Sequence, residues 1–166
     1  CEHPHTWSCS YTGCATAPAG SDSLTVADAY ILPRGHVWDV AAARVTNRLR
    51  VPRLGAFRDL PPLSLYFYDG AECVREHEQN ARAVRRPRGF SCEEIGGLAW
   101  GWDDAFPALQ SLTPLAPLFV SPHGTGCSRY VSTLATASAL HAIWQQSQPD
   151  RSQPLVGHAL PMETVE

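Results

Sequence analysis

LSLYFYDGAEC, residues 63–73, joins an aromatic run to an Asp-Gly pair and a cysteine. Bulky apolar or aromatic residues occupy both alternating sets of positions from 63 to 68, so both faces of an extended segment would be apolar. A strand of this kind lies in the middle of a sheet with both faces covered. Asp69-Gly70 favours a tight turn, because glycine accepts a positive φ. The sequence therefore predicts a central strand at 63–68 and a turn that leads to Cys73.

Further strands are expected on both sides of this segment. The alternation in RVTNRLRV favours a strand from residue 44 onward. An apolar run favours a second sheet strand at 115–120, and 155–160 has the composition of a docked strand. The aromatic residues of 98–106 are expected to fill the core.

One long helix is predicted at 129–146. Val131, Ala135, Ala139 and Ala142 follow one another at spacings of four, four and three residues, which is the spacing of one helix face. Leu134 and Ile143 widen this apolar face, which is expected to pack on the sheet. Ser128 would be its N-cap. The expected fold class is therefore α+β: a disulfide-stapled antiparallel sheet with one long helix packed on it in the C-terminal half.

The length of 166 residues suits a single domain, 1–166. Residues 1–23 are rich in Cys, Ser, Thr and Gly and predict an irregular N-terminal segment, while the proline-containing 147–166 predicts an extended tail. No run approaches the roughly 20 apolar residues that a membrane helix needs, so no membrane span is predicted.

Six cysteines indicate an oxidising compartment. Their number is even and none forms a C-x-x-C pair, so three disulfides are expected, with fifteen connectivities left open. A first residue of cysteine, without a starting Met, predicts a mature secreted form whose signal peptide has been cleaved. The expected disulfide residues are Cys1, Cys9, Cys14, Cys73, Cys92 and Cys127.

Arginine is concentrated in the middle of the chain. Residues 44–88 hold ten arginines against five acidic residues. Internal pairing on a solvated surface is one interpretation, and a binding patch for an anionic surface is the other. The segment 75–88 gives the candidate binding residues Arg75, Arg82, Arg85, Arg86 and Arg88.

Some residues of the chain have the side-chain types of metal ligands or of acid–base catalysts. The N-terminal CEHPH and the nearby cysteines contain copper- and zinc-ligand types, but oxidised cysteines are poor ligands and the spacings are irregular. Histidines such as His36, His141 and His158 supply the residue types of a small ribonuclease, without a spacing that selects a pair. We predict neither a metal nor a cofactor.

RYVST, residues 129–133, resembles the aromatic-Val-Ser-Thr-Ser segment of the toxin-type ADP-ribosyltransferases, where a strand residue and the Ser-Thr pair brace the NAD site. The resemblance implies roles for Ser132 and Thr133, with Glu163 as the catalytic acid. The chain departs from the pattern at Leu134, which replaces the final Ser, and it has no upstream Arg-x-Asp segment.

The order of an aromatic strand, Asp-Gly, cysteine, a Phe-x-Cys segment, and an apolar run with a Gly turn and cysteine resembles the small secreted cysteine-rich proteins of fungi, including effector candidates. The resemblance covers residues 63–127 and implies a secreted, mostly non-enzymatic protein that acts through a binding surface. We therefore expect a protein partner, with nucleic acid disfavoured. A secreted enzyme, either an ADP-ribosyltransferase or a ribonuclease, is the alternative.

Overall fold

The computed structural model describes residues 11–40, 42–71, 95–118, 128–146, 148, 150, 152 and 154–161. Within these ranges the chain is built of antiparallel strands in three sheets. Two short 3-10 turns, Gly55–Phe57 and Asp103–Ala105, are the helical segments there. The strands are β1 Ala15–Thr16, β2 Thr25–Val26, β3 Ala42–Arg50, β4 Leu63–Ala71, β5 Ile95–Trp102, β6 Gln110–Ser111, β7 Ser128–Ala135, β8 Ala139–Gln146 and β9 Leu155–Pro161.

The central sheet has the order β3-β4-β5-β6, and the C-terminal sheet has the order β7-β8-β9. β1 and β2 form a separate small ribbon. Strand β7 lies against β3, β4 and β5, so the C-terminal sheet packs on the central one. The side-chain amide of Asn47 on β3 donates a hydrogen bond to the hydroxyl of Thr133 on β7.

The predicted α+β class is wrong, because the segment expected to be the long helix, 129–146, forms the β7–β8 hairpin instead. Ala135 and Leu140 face each other across this hairpin. The regular alanine spacing imitated a helix face, but the chain reverses at 136–138. β-Branched residues and a closed turn then outweigh the helix propensity of alanine.

The central strand was predicted correctly, but the turn that should end it was not. β4 continues through Asp69 and Gly70 to Ala71, paired with β3 on one side and, up to Gly70, with β5 on the other. Tyr66 and Tyr68 point to the same face and are buried, at 3% and 1% exposure. The strand expected from residue 44 is confirmed in β3, and the docked strand at 155–160 is confirmed in β9.

The segment 31–40 covers this buried face of the central sheet. Trp38 stacks on Tyr68 with ring centroids 5.5 Å apart, and its indole N–H donates to the carbonyl of Thr113. The Tyr68 hydroxyl donates to the Asp39 carboxylate at 3.0 Å and lies 3.1 Å from the hydroxyl of Ser111. The core cluster consists of Ile31, Leu32, Trp38, Ala43, Tyr66, Tyr68, Ala99 and Leu109.

Burial shapes the ionisation of this cluster. Removal from water raises the pKa of Tyr68 to about 12, and it raises the pKa of Asp39 as well. Asp39 is only 2% exposed, so the hydrogen bond from Tyr68 compensates part of the cost of burying the carboxyl group.

Glycines in β4 and β5 make room for the covering segment. A Cβ at Gly70 would lie 2.3 Å from the Trp38 ring, and one at Gly97 would lie 2.4 Å from the Tyr68 ring. Gly70 and Gly97 therefore keep the sheet surface free of side chains where the rings of Trp38 and Tyr68 lie against it. This explains why the Asp-Gly pair lies inside a strand.

Two further expectations, the strand at 115–120 and the aromatic core at 98–106, need correction. Residues 115–118 form no strand, and 119–120 lie outside the described ranges. Trp100 and Trp102 are half-buried and Phe106 is 40% exposed, so the aromatic residues of 98–106 do not fill the core. The N-terminal segment 1–23 is described from residue 11 and includes strand β1.

The described residues contain no disulfide, so the expected disulfide-stapled sheet is not confirmed there. Cys14 is a free, half-buried thiol, against the expectation that every cysteine is paired. The other five cysteines, Cys1, Cys9, Cys73, Cys92 and Cys127, lie outside the described residues.

Replacing Gly97 by alanine should destabilise the protein by about 1–3 kcal/mol, because the added methyl group collides with the rings of Tyr68 and Trp38. Thermal and urea unfolding measure the change. Gly13→Ala is the matched control, since nothing lies within 4 Å of a Cβ there. Equal stability of the two variants would show that the absence of a side chain at Gly97 is unimportant.

Candidate interaction surface

Most of the residues singled out from the sequence lie outside the described part of the chain. This applies to the binding candidates Arg75, Arg82, Arg85, Arg86 and Arg88, and to Glu163. Ser132 and Thr133 are described, and both lie on β7. The C-terminal sheet that contains them also carries several exposed aliphatic side chains.

A tight turn builds the hairpin at the start of this sheet. The backbone N–H of Thr136 donates to the carbonyl of Ala139 at 2.9 Å. The Thr136 hydroxyl donates to the same carbonyl at 2.9 Å and accepts from the Ala139 N–H at 3.1 Å. One threonine thereby satisfies the backbone groups of the turn, which lets β8 fold back on β7.

Strand register assigns the side chains of the sheet to two faces. Ser132 lies opposite Ile143, which lies opposite Gly157; Leu134 lies opposite His141, which lies opposite Ala159. Directly opposed residues in an antiparallel pair share a face. We call this side the exposed face; its residues include Ser132, Leu134, His141, Ile143, Leu155, Gly157 and Ala159.

The exposed face is apolar and open to solvent. Leu134 is 63% exposed, Ile143 46% and Leu155 69%. The sequences of β8 and β9, ALHAIWQQ and LVGHALP, contain no charged residue. Scattered exposed leucines are ordinary, but aliphatic side chains that lie near one another on strands with few charges are typical of a contact surface; the charged residue of this sheet is Arg129 on β7.

An open groove of about 280 Å³ runs across the β7–β8 part of the sheet. It is lined by Ser132, Thr133, Leu134, His141 and Ile143. Leu134 and Ile143 give it apolar walls, while Ser132 and His141 add groups that can form hydrogen bonds. Such a groove can receive an apolar side chain and orient one polar group beside it.

At strand β7, the opposite face of the same sheet turns toward the central sheet. Thr133 on this side accepts the hydrogen bond from Asn47. Farther along, the rings of Trp144 and His158 stack with centroids 5.9 Å apart, and the Trp144 indole N–H donates to the Gln146 side chain. The contact with the central sheet is therefore made at β7, while Leu160 on the same side of β9 is 59% exposed.

Of the histidines considered for acid–base catalysis, the two on the C-terminal sheet do not converge, and His77 and His123 lie outside the described residues. His141 lies on the exposed face and His158 on the opposite one, as their register with Ala159 and Ala142 requires. Among the described residues, no three His, Cys, Asp or Glu side chains are grouped as metal ligands would be. This arrangement gives no support to the ribonuclease alternative.

A charged cluster at one edge of the central sheet is a second candidate site. Asp103 accepts hydrogen bonds from the Ser64 hydroxyl at 2.6 Å and from the Arg50 guanidinium at 3.0 Å, and it pairs with Arg48 at 2.8 Å. Arg48 also donates to the Ser64 hydroxyl at 2.9 Å. Because a carboxylate occupies both arginines, this cluster is better explained as structural pairing than as an anion site.

Comparison with known proteins gives no family to which the chain can be assigned: no protein-family model, curated protein or solved structure matches it. Within the described ranges, the structure contains no helix whose length and apolar character would let it cross a membrane.

The sequence contained a partial signal for this surface. The apolar segment 155–160 was recognised as a strand, and Ser132 with Thr133 was recognised as a motif. The exposed face itself was missed because a helix at 129–146 would have placed Leu134 and Ile143 on the packed stripe. The turn at Thr136 makes the segment a hairpin, and in a hairpin Leu134 and Ile143 lie on the exposed face.

Asp103 makes stability depend on pH in acid. The hydrogen bond from Ser64, followed by those from the two arginines, lowers the pKa of Asp103 from 3.8 to about 2. The resulting stabilisation is complete above 3.8 and is lost as the pH falls through about 2. Asp103→Asn should therefore lower stability near neutral pH by about 1 kcal/mol, a modest effect because the arginines are exposed, and should flatten the acid limb of the stability curve.

Denaturant unfolding at a series of pH values measures this effect. Asp104→Asn is the control, since it removes the same charge from the next residue, which bonds to neither arginine. Burial raises the pKa of Asp39, so that carboxyl acts in the opposite sense and loses stabilisation as pH rises; it is common to both variants. Identical acid limbs for Asp103→Asn and the unmodified protein would contradict the prediction.

Proposed function

We propose that this chain is an interaction protein that binds a protein partner through the exposed face of the C-terminal sheet. The observation that supports this is the grouping of Leu134, Ile143 and Leu155 on one solvent-facing side of strands β7 to β9. Burying these aliphatic side chains in a complex removes apolar surface from water, at about 25 cal/mol per Å².

The chemistry of the face favours an apolar protein surface as the partner. Nucleic acids and anionic membranes are bound chiefly by Lys and Arg, and β8 and β9 contain neither. The groove beside Leu134 and Ile143 would accept one anchoring side chain of the partner, with Ser132 and His141 as hydrogen-bonding neighbours.

The proposal moves the binding surface away from the arginine-rich segment 75–88, whose role stays a prediction. That the protein is secreted, and effector-like, is also part of the proposal. Its support is the cysteine content of the chain, which is typical of extracellular proteins.

Leu134→Asp should abolish capture of the partner by the tagged full-length chain, because it places a charge in the apolar contact, on the wall of the groove. Quantitative recovery of cross-linked proteins from extracellular fluid or a host extract measures the loss, which we expect to exceed about tenfold. Leu134 is 63% exposed, so the fold should tolerate the change.

Leu115→Asp is the matched control, since this leucine is 79% exposed and lies outside the C-terminal sheet. It should retrieve the same proteins as the unmodified chain. Equal recovery by the Leu134 and Leu115 variants, with unchanged circular dichroism spectra, would reject the exposed face as the binding surface.

An ADP-ribosyltransferase is the second candidate function, favoured by one observation. Ser132 and Thr133 were expected at the start of a helix, but they lie on strand β7 beside a groove, as the Ser-Thr pair of the resembled enzymes lies on a strand. The Thr133 hydroxyl is already engaged by Asn47, which leaves Ser132 as the group open to a ligand.

Incubation with labelled NAD and a protein extract distinguishes the two functions. If the chain is a transferase, label is incorporated into protein and is lost in the variants Ser132→Ala and Glu163→Gln. Ser152→Ala, an exposed serine outside the strands, is the control for the first of these. Absence of transfer by the unmodified chain would reject the enzyme and leave the binding proposal in place.

A further inference from the structure

The outer edge of β9 has the properties of a strand that pairs with another strand. β9 lies at the end of the C-terminal sheet and pairs with β8 alone among the described strands. We infer that the chain forms a homodimer in which β9 of one copy pairs antiparallel with β9 of a second copy, in a register centred on Gly157. This inference concerns the backbone edge of β9; Leu155, Gly157 and Ala159 also contribute to the exposed face, but the inference does not depend on the protein partner proposed above.

The hydrogen bonds to β8 reveal which backbone groups of β9 point outward. The Gln146 N–H donates to the Pro154 carbonyl at 3.0 Å, so the backbone groups of residue 154 point toward β8. The backbone N–H and C=O groups of successive residues in a strand point to alternate sides. The groups of residues 156, 158 and 160 therefore also bond to β8. The N–H and C=O groups of Leu155, Gly157 and Ala159 then point away from the sheet.

The middle one of these three outward residues is Gly157, and the strand carries no charge, so a second copy of the same strand can pair with it without a steric or electrostatic conflict at the centre. In a two-fold antiparallel pairing centred there, Gly157 faces Gly157 and Leu155 faces Ala159 of the other copy. Each of these residue pairs exchanges two backbone hydrogen bonds, so every outward donor and acceptor of Leu155, Gly157 and Ala159 finds a partner. Pro161 is also outward but lacks an N–H, and this register does not use it.

The edge of β9 lacks the structural features that normally prevent an edge strand from pairing with another strand. Edge strands are usually protected by charged side chains, by bulges or by a proline in the middle of the strand. β9 contains no charge, its register with β8 runs from Leu155 to Pro161 without a shift, and its proline is the last residue. An uncharged edge also brings two identical copies together without charge repulsion.

Side chains at the proposed junction are compatible with close approach. The register brings Val156 opposite His158 on one face and Leu155 opposite Ala159 on the other, with no side chain at the two-fold position Gly157. Leu155 is 69% exposed in the single chain and would gain an apolar neighbour. The pairing would also join the two exposed faces into one continuous apolar surface over six strands.

Sedimentation equilibrium of the full chain tests the inference. We expect a monomer–dimer equilibrium in the micromolar range, with Gly157→Lys weakening it by more than about tenfold, because two like charges would oppose each other at the two-fold position. A side chain at Gly157 fits within the monomer, since the nearest atoms to its Cβ would lie at 3.9 Å. Ala159→Pro should act similarly by removing an outward N–H that does not bond to β8.

Leu134→Lys is the matched control, because it adds the same charge to the exposed face on β7, away from the edge. It should dimerise like the unmodified chain while failing to capture the partner. A chain that stays monomeric throughout, or a Gly157→Lys variant with undiminished association, would overturn the homodimer. Either result would leave the binding proposal untouched, which is tested by partner recovery alone.

Discussion

The stacking of Trp38 on Tyr68, above Gly70 and Gly97, is the contact on which the rest of the structure depends. It holds the segment 31–40 against the central sheet and buries Asp39 beside the Tyr68 hydroxyl. Three features meet at this point: the two stacked rings, the buried Asp39 carboxyl group that accepts a hydrogen bond from Tyr68, and two glycines that leave room for the rings. Loss of an aromatic ring leaves a void, loss of the Tyr68 hydroxyl leaves the buried carboxyl group without that hydrogen bond, and a side chain at either glycine collides with the rings; all three are costly in a core.

The central sheet also gives the C-terminal sheet its orientation. Asn47 on β3 engages Thr133 on β7, so the face of β7 that carries Thr133 is turned inward. Alternation along the strand then turns Ser132 and Leu134 outward. The apolar exposed face is thus a consequence of strand geometry and of one hydrogen-bonded pair, and a binding surface on it would be held by a rigid support.

Strands whose side-chain pattern is set locally could be predicted from the sequence. The alternation in β3, the apolar run of β4 and the segment of β9 each indicated an extended conformation, and each is a strand. The turn predicted at Asp69-Gly70 was wrong because the glycine there is required by a tertiary contact with Trp38. Such a contact cannot be inferred from the neighbouring residues in the sequence. The aromatic residues of 98–106 misled for the related reason that composition does not say which face of β5 is covered.

The helix predicted at 129–146 failed because alanine spacing cannot distinguish a continuous helix face from two strands joined by a turn. Thr136 decides between them, since its hydroxyl both donates to and accepts from the backbone of Ala139. The candidate binding surface depends on that choice, and so it could not be located from the sequence. Ser132 and Thr133 were recognised as residues of interest, but their neighbours Leu134 and Ile143 were assigned to a buried stripe.

The free thiol of Cys14 can be used to detect local opening of the N-terminal part of the structure. The side chain is half-buried and packs against the core cluster, in the stretch of chain that leads to the covering segment. A thiol reagent gains full access to it only when that stretch lifts from the sheet. The rate of its modification therefore reports local opening of the N-terminal layer, separately from melting of the whole protein.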